Sequence, residues 1–323
     1  MKALPAAALL AALAGCAGPP VLESRWPPDQ SRSIELESVP FHPQAEYQCG
    51  PAALATILGA SGEATSASRL VDEVYVPDRR GSLQPEIVAA ARRRGLLVYR
   101  IRPELTDLVA QLGAGEPVLV LQNLGIERLP VWHYAVVIGA DASSESVLLR
   151  SGTERRRVER ARDFLRRWDL AGRWGIVVLA PGQVPADPDW PAYLKAAADL
   201  EAAGHPAAAA AAYAAALERR PDLAAARFGL ANVRYGEGAL LAAAGIYESL
   251  AGDPDFGVPA LNNLANLYAD EDCLEAARFA LDRATAQAAA GGGFAAALAD
   301  TRSRLTEITG RDGDQTGCPV PLE

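Results

Sequence analysis

The sequence predicts an α+β domain followed by an all-α repeat solenoid. Three observations carry this. Residues 34–180 read as helices first and apolar, β-rich strands later, the order of an α+β domain with a mainly antiparallel sheet. Residues 192–310 are Ala-rich, helical in pattern and similar to themselves at a shift of 34 residues. Between the two, PGQVPADPDWP (181–191) gathers Pro181, Pro185, Pro188 and Pro191, the mark of a linker. The chain has 323 residues, half of them hydrophobic, which is enough for two cores. Its net charge of −9 argues against non-specific nucleic-acid binding, which needs a basic surface.

Ahead of the first domain, MKALPAAALLAALAGC (1–16) carries one cation at Lys2, a short apolar run and small residues. That pattern is a secretory signal peptide, too short and Ala-rich for a stable membrane span. Leu13-Ala14-Gly15-Cys16 resembles the bacterial lipobox. The resemblance implies cleavage before Cys16, diacylation of its thiol and acylation of the new amino group. Several acyl chains anchor firmly where one is marginal. Ala17 in place of Asp favours the outer membrane, so the expected location is a lipid anchor at the outer membrane facing the periplasm. Residues 17–37, Pro- and Ser-rich, then read as an extended tether. Export also allows Cys273 and Cys318 to pair, although spacing alone does not show that the geometry fits. Cys49 is then the odd free thiol.

The domain of residues 38–180 follows in order. CGPAALATILGA spaces Leu54, Ile57 and Leu58 as a helix that stops at Gly59. SASRLVDEVYV and SLQPEIVAAARRRG are helical, the second closing on Gly95. LLVYRIR alternates as a strand, and ELTDLVAQLGAG returns to a helix. Strands are expected at 117–123, 133–141, 146–152 and 174–181. RSGTERRRVERARDFLRRW holds eight arginines in residues 150–167. Interspersed by Glu154, Glu159 and Asp163, it reads as a solvated, charged helix.

In the second half, Ala197, Ala231 and Ala265 align at the 34-residue shift, as do Ala209, Ala243 and Ala277. Tyr213 aligns with Tyr247, and Gly204 with Gly238. In the third unit Asp272 holds the Gly position and Leu281 the Tyr position. Small residues at fixed crossings let two helices pack closely and units stack. The pattern resembles the tetratricopeptide repeat and implies a surface for a protein partner. Residues 285–309 read as a capping helix and 311–323 as a tail.

The chemistry gathers around FHPQAEYQCGPAALATIL (41–58). A helix start favours an anion and so lowers a thiol pKa. Cys49 is placed there, with Gly50 leaving room for a substrate backbone and Pro51 needing no N–H. Of the three histidines, His205 lies in the repeats, His42 is hemmed by Pro40 and Pro43, and His133 opens an apolar strand. A cysteine on an early helix and a histidine on a later strand is the papain-like order of parts. Gln44, with the Cys49 backbone N–H, can donate to a developing oxyanion; Gln48 ranks second.

PFHPQAEYQCGPAALATIL together with WHYAVVIGAD resembles the double-glycine, bacteriocin-processing cysteine peptidases, over about residues 38–180. The resemblance implies a papain-like fold and thiol-dependent hydrolysis of a peptide bond, with Cys49 as nucleophile, His133 as base and Gln44 as oxyanion donor. Lipobox, peptidase-like domain and repeats together are similar to a group of proteobacterial lipoproteins. Relatives carry an Asp-Pro after the strand that follows the histidine. Here that strand ends LLRSGTERRR, and Ser151 occupies the place; Asp141, at the far end of the histidine's own strand, is the substitute to weigh. No exporter-type ATPase motif occurs, so ATP is not expected, and no cofactor is implied.

Two functions compete. One is a lipid-anchored periplasmic cysteine peptidase whose repeats recruit a protein substrate or partner. The other is a catalytically weak or inactive peptidase-fold scaffold that binds peptides or proteins. Cell-wall amidase or acyl-transfer chemistry fits less well, because that type usually carries Cys-Ser-Gly where this chain has Cys-Gly-Pro.

Overall fold

The computed structural model describes residues 20–288, 294–308 and 318. The signal peptide, Cys16 and most of the tail lie outside these. The chain divides into two compact units near residue 180.

The first unit begins with β1 (Ser33–Glu35), then α1 (Cys49–Ala60), α2 (Ala67–Val74) and α3 (Gln84–Arg92). Next come β2 (Leu97–Arg100), α4 (Leu105–Gly113), β3 (Val118–Asn123) and β4 (Trp132–Asp141). It closes with β5 (Ser146–Ser151), β6 (Glu154–Arg160), α5 (Ala161–Asp169) and β7 (Gly175–Leu179). The seven strands form one sheet in the order β2-β7-β3-β4-β5-β6, with β1 also paired to β4. Neighbours β3 and β4, β4 and β5, and β5 and β6 are antiparallel, so the unit is α+β.

Helix α1 is buried from Gly50 to Leu58. Its apolar residues face every side, as a helix inside a core requires, and it packs on β4, β3 and β5. It runs one residue past Gly59, because that glycine serves packing: a Cβ there would stand 2.8 Å from Pro40 Cγ. Ser66 caps α2 by accepting from the Arg69 N–H. Pro85 opens α3, where the missing N–H costs nothing.

Two strands depart from the sequence expectation. The arginine-rich stretch is not one charged helix; it runs from the end of β5 through β6 into α5. In β6 the long side chains of Arg155 and Arg156 stay exposed while Glu159 turns inward. Arg150 is itself buried, on β5, and its guanidinium donates to the carbonyls of Val39, Glu37 and Arg155. It thereby ties the segment leading to Gln44 against the sheet. The second departure is the tether. Residues 33–35 pair with 139–141 of β4 as β1. Ahead of it, the backbone N–H groups of Val21, Leu22 and Glu23 donate to the Glu145 carboxylate at 2.6–3.1 Å, and Leu22 is fully buried. From Val21 onward this segment is part of the domain.

The second unit holds α6 (Trp190–Ala202), α7 (Pro206–Arg219), α8 (Ala224–Gly236), α9 (Leu240–Leu250), α10 (Gly257–Asp270), α11 (Leu274–Ala288) and α12 (Ala295–Ile308). Helices α6 to α11 form successive hairpins. Ala197, Ala231 and Ala265, with Ala209, Ala243 and Ala277, are all fully buried. Gly204, Gly238 and Asp272 sit at the hairpin turns with φ of +84°, +75° and +57°. One left-handed residue thus recurs at each 34-residue step, and Asp272 adopts it without being glycine. Gly229 is small for a different reason: a Cβ there would run into the Tyr213 ring. The capping helix expected over 285–309 is divided, its start belonging to α11 and its main part to α12. Cys273 and Cys318 form a disulfide with Cα atoms 5.5 Å apart, which ties position 318 of the tail to the α10–α11 turn. Among the described residues no helix is long and apolar enough to cross a membrane.

Candidate active site

Gln44, Cys49 and His133 line one cleft of about 850 Å³ in the first unit. Cys49 is the first residue of α1 and the free cysteine of the described chain. The residue before it, Gln48, makes no side-chain cap, so the helix start stays open. Tyr47 holds a left-handed φ of +61°, an uncommon conformation for a bulky residue. Its exposed ring lies under the Arg80 guanidinium at 5.6 Å. Gln44 is fixed by its backbone N–H, which donates to the Gly152 carbonyl at 3.1 Å. Its side-chain Oε1 is buried without a partner.

His133 stands near the start of β4 directly opposite Gln122 of β3. Its Nε2 is 2.8 Å from the Ser151 Oγ on β5. Ser151 is therefore beside the imidazole. Asp141 is not: it lies at the other end of β4, and its carboxylate accepts from the N–H groups of Ser143 and Ser144. His42 is half-buried nearby in sequence but does not line the cleft, and His205 stands just ahead of α7 in the second unit without a side-chain cap. Gln48, the second-ranked oxyanion donor, also stays out of the cleft lining.

The electrostatics differ from the expected activated thiol. Burial pushes the Cys49 thiol up, against the smaller lowering by the backbone N–H groups of Tyr134, Gly50 and Cys49 itself. Burial, then Arg157, lowers the His133 imidazole to about 4, while Glu159 acts to raise it and Arg167 to lower it. At neutral pH the pair rests as thiol and neutral imidazole. Desolvation outweighs the helix start here.

Gly50 has a different role from the one expected. A Cβ at Gly50 would run into the Oγ and Cβ of Ser82. The space beside Gly50 is thus filled by the loop before α3, whose Arg79, Arg80, Gly81, Ser82 and Leu83 also line the cleft. The Ser82 Oγ is buried and unpartnered. The β3–β4 connection, whose Leu124, Pro130, Val131 and Trp132 line the same cleft, presents apolar side chains to solvent: Val131 is 55% and Trp132 54% exposed. Neither wall was legible from motif spacing; the cluster Leu129-Pro130-Val131-Trp132 just ahead of His133 was the available signal. Among the described residues no group of three or more His, Cys, Asp or Glu could hold a metal ion.

Residues 36–176 match the Peptidase_C39 like family. The matched stretch contains Gln44, Cys49, His133 and Ser151, and it supports a peptidase in the first unit. Two solved structures are similar. A C39-like peptidase from Bacillus anthracis is 18% identical, with a TM-score of 0.39, covering 46% of this chain and 97% of that one. The peptidase domain of Streptococcus ComA, a bi-functional ABC transporter involved in quorum sensing, is 19% identical, with a TM-score of 0.34, covering 44% of this chain and 98% of that one. No curated protein matches the chain.

Proposed function

We propose that the protein is a cysteine peptidase that hydrolyses peptide bonds through Cys49 and His133. The convergence of Gln44, Cys49 and His133 on one cleft, with Ser151 hydrogen-bonded to Nε2 of the imidazole, carries this reading. A neutral imidazole is the form that accepts a proton. As the Cys49 sulfur attacks the substrate carbonyl, its proton passes to His133. The carbonyl oxygen gains negative charge, which the Gln44 amide and the Cys49 N–H stabilise. The carbon–nitrogen bond breaks, and the imidazolium gives its proton to the leaving amine. Water, deprotonated by His133, then attacks the thioester, releasing the carboxylate and restoring the thiol.

The reading extends to the rest of the chain. Cys16 carries the lipid anchor, at the outer membrane facing the periplasm. The hairpins of the second unit act as tetratricopeptide repeats that recruit a protein substrate or partner. Their 34-residue recurrence of a left-handed turn residue supports that part.

One observation favours a second reading, a weak or inactive scaffold that binds peptides. Burial raises the thiol and lowers the imidazole, so the resting pair lacks the ionised form that makes thiols reactive. A peptide library incubated with residues 17–323 and read by mass spectrometry separates the two. Cleavage that disappears in Cys49→Ala and in His133→Ala supports the peptidase. No cleavage above the Cys49→Ala background, with Cys49 alkylation by iodoacetamide that is indifferent to His133→Ala, establishes the scaffold instead.

A further inference from the structure

Ser151 supplies a hydrogen bond to His133 but no charge. The imidazolium formed during acylation still needs a negative partner, because the site is buried and an unpaired charge there is costly. Asp141 points elsewhere. The sheet register locates another carboxylate.

His133 is directly opposite Gln122 across the β3–β4 pair, so their side chains share a face. Glu159 and Arg157 stand opposite Val147 and Leu149 of β5, and Leu149 stands opposite Val137 of β4. Val137 is four residues from His133, on the same face. The side chains meet accordingly. The Gln122 Nε2 is 3.4 Å from Glu159 Oε2. Glu159 is only 6% exposed. Its Oε1 accepts from Arg157 Nε at 2.8 Å and pairs with the Arg167 guanidinium of α5 at 2.8 Å. Arg157 is shared outward with Glu154. Gln122 Oε1, meanwhile, is a buried acceptor without a donor. Protonation of His133 adds one N–H donor to a face that holds one acceptor too many.

Resting on the reading of Cys49 and His133 as the reacting pair, we propose that Glu159 is the charge partner of His133. It is a positioning residue: Gln122, Arg157 and Arg167 hold its carboxylate on the histidine's face, where it stabilises the imidazolium. The acid that the Ser151 position lacks is thus supplied from the next strand, through the sheet face. The arginines set the balance, so the cluster has two levers of opposite sign. Loss of Glu159 disfavours the imidazolium; loss of Arg157 favours it.

The test is a titration of His133 by NMR on histidine-labelled full-length protein, assigned with His133→Gln and set beside peptide-cleavage kinetics. Glu159→Gln is expected to lower the His133 midpoint, and Arg157→Gln to raise it by about one unit, tenfold in protonation. Glu159→Gln is expected to lower kcat about tenfold with KM little changed. A structural role alone does not move the midpoint in opposite directions. Midpoints that stay put or shift the same way in both variants overturn the proposal, as does a kcat for Glu159→Gln equal to wild type. Should Glu159→Gln fail to fold, the half-exposed Arg157 variant decides by the direction of its shift. A wild-type protein that cleaves nothing refutes the peptidase reading and the positioning role of Glu159 in it, while opposite midpoint shifts still separate that outcome from a failed charge pairing.

Discussion

Ser151 Oγ and His133 Nε2 are joined at 2.8 Å across the β4–β5 pair. A hydroxyl fixes the ring by one hydrogen bond and adds no charge. Ser151→Ala removes the hold without adding a group, at a cost of about 1.4 kcal/mol, or tenfold in kcat. Ser151→Asp introduces a carboxylate in the same place and is expected to move the acid limb of the pH–rate profile upward. Steady-state kinetics from pH 4 to pH 8 on both variants check this. An unchanged limb in Ser151→Asp means that the residue at 151 does not face the titrating imidazole.

The lowered His133 has a consequence for stability with a definite sign. In the unfolded chain the imidazole titrates near its ordinary 6.5, and in the fold at about 4. Between these values the unfolded chain binds the extra proton. The contribution of neutral His133 is therefore complete above pH 6.5 and is lost as pH falls from there through about 4. Urea denaturation of wild type and His133→Gln at pH 7 and pH 4.5 isolates it. Wild type is expected to lose more stability than the variant on acidification; equal losses contradict the buried, neutral imidazole.

Gly50 and Ser82 form a packing pair that connects α1, which begins at Cys49, to the cleft wall. Gly50→Ala is expected to destabilise by about 1–3 kcal/mol, the usual cost of overpacking. Ser82→Gly removes the opposing atoms, so the double variant Gly50→Ala/Ser82→Gly is expected to recover most of the loss. Thermal or denaturant unfolding of the four proteins closes the cycle. Additive losses exclude the contact as the cause.

In the second unit, Gly238 has φ of +75° and open space around its missing Cβ. Gly238→Ala thus meets no neighbour, and its cost is the left-handed backbone alone, about 1 kcal/mol. Gly245, inside α9 and equally open, is the control: Ala there is expected to stabilise by about 1 kcal/mol. Denaturant midpoints of the two variants should move in opposite directions.

How much of this was legible depends on where the information resides. Helix α1 was legible because its apolar run and Pro51 act locally. The hairpin turns were legible because Gly204, Gly238 and Asp272 recur in register. Strand β6 was not: ERRRVER has only Val158 as an apolar residue, and an edge strand leaves its arginines in water while burying Glu159 alone. The Gly50–Ser82 contact was also hidden, since it joins residues 32 positions apart through a loop with no periodic pattern. Motif spacing located Gln44, Cys49 and His133 in one cleft, but the thiol's raised pKa comes from burial, which no motif records.

The Glu145 clamp gives the first unit a front and a back. His133 and the cleft lie near one end of β4, while Val21 enters at the turn beyond Asp141 at the other. Eight strand steps of about 3.3 Å separate these ends by about 26 Å. Val21 thus joins the first unit at the pole remote from the cleft. A pull on the N-terminal segment meets the Glu145 clamp and the β4–β5 turn before it reaches the cleft that holds Cys49.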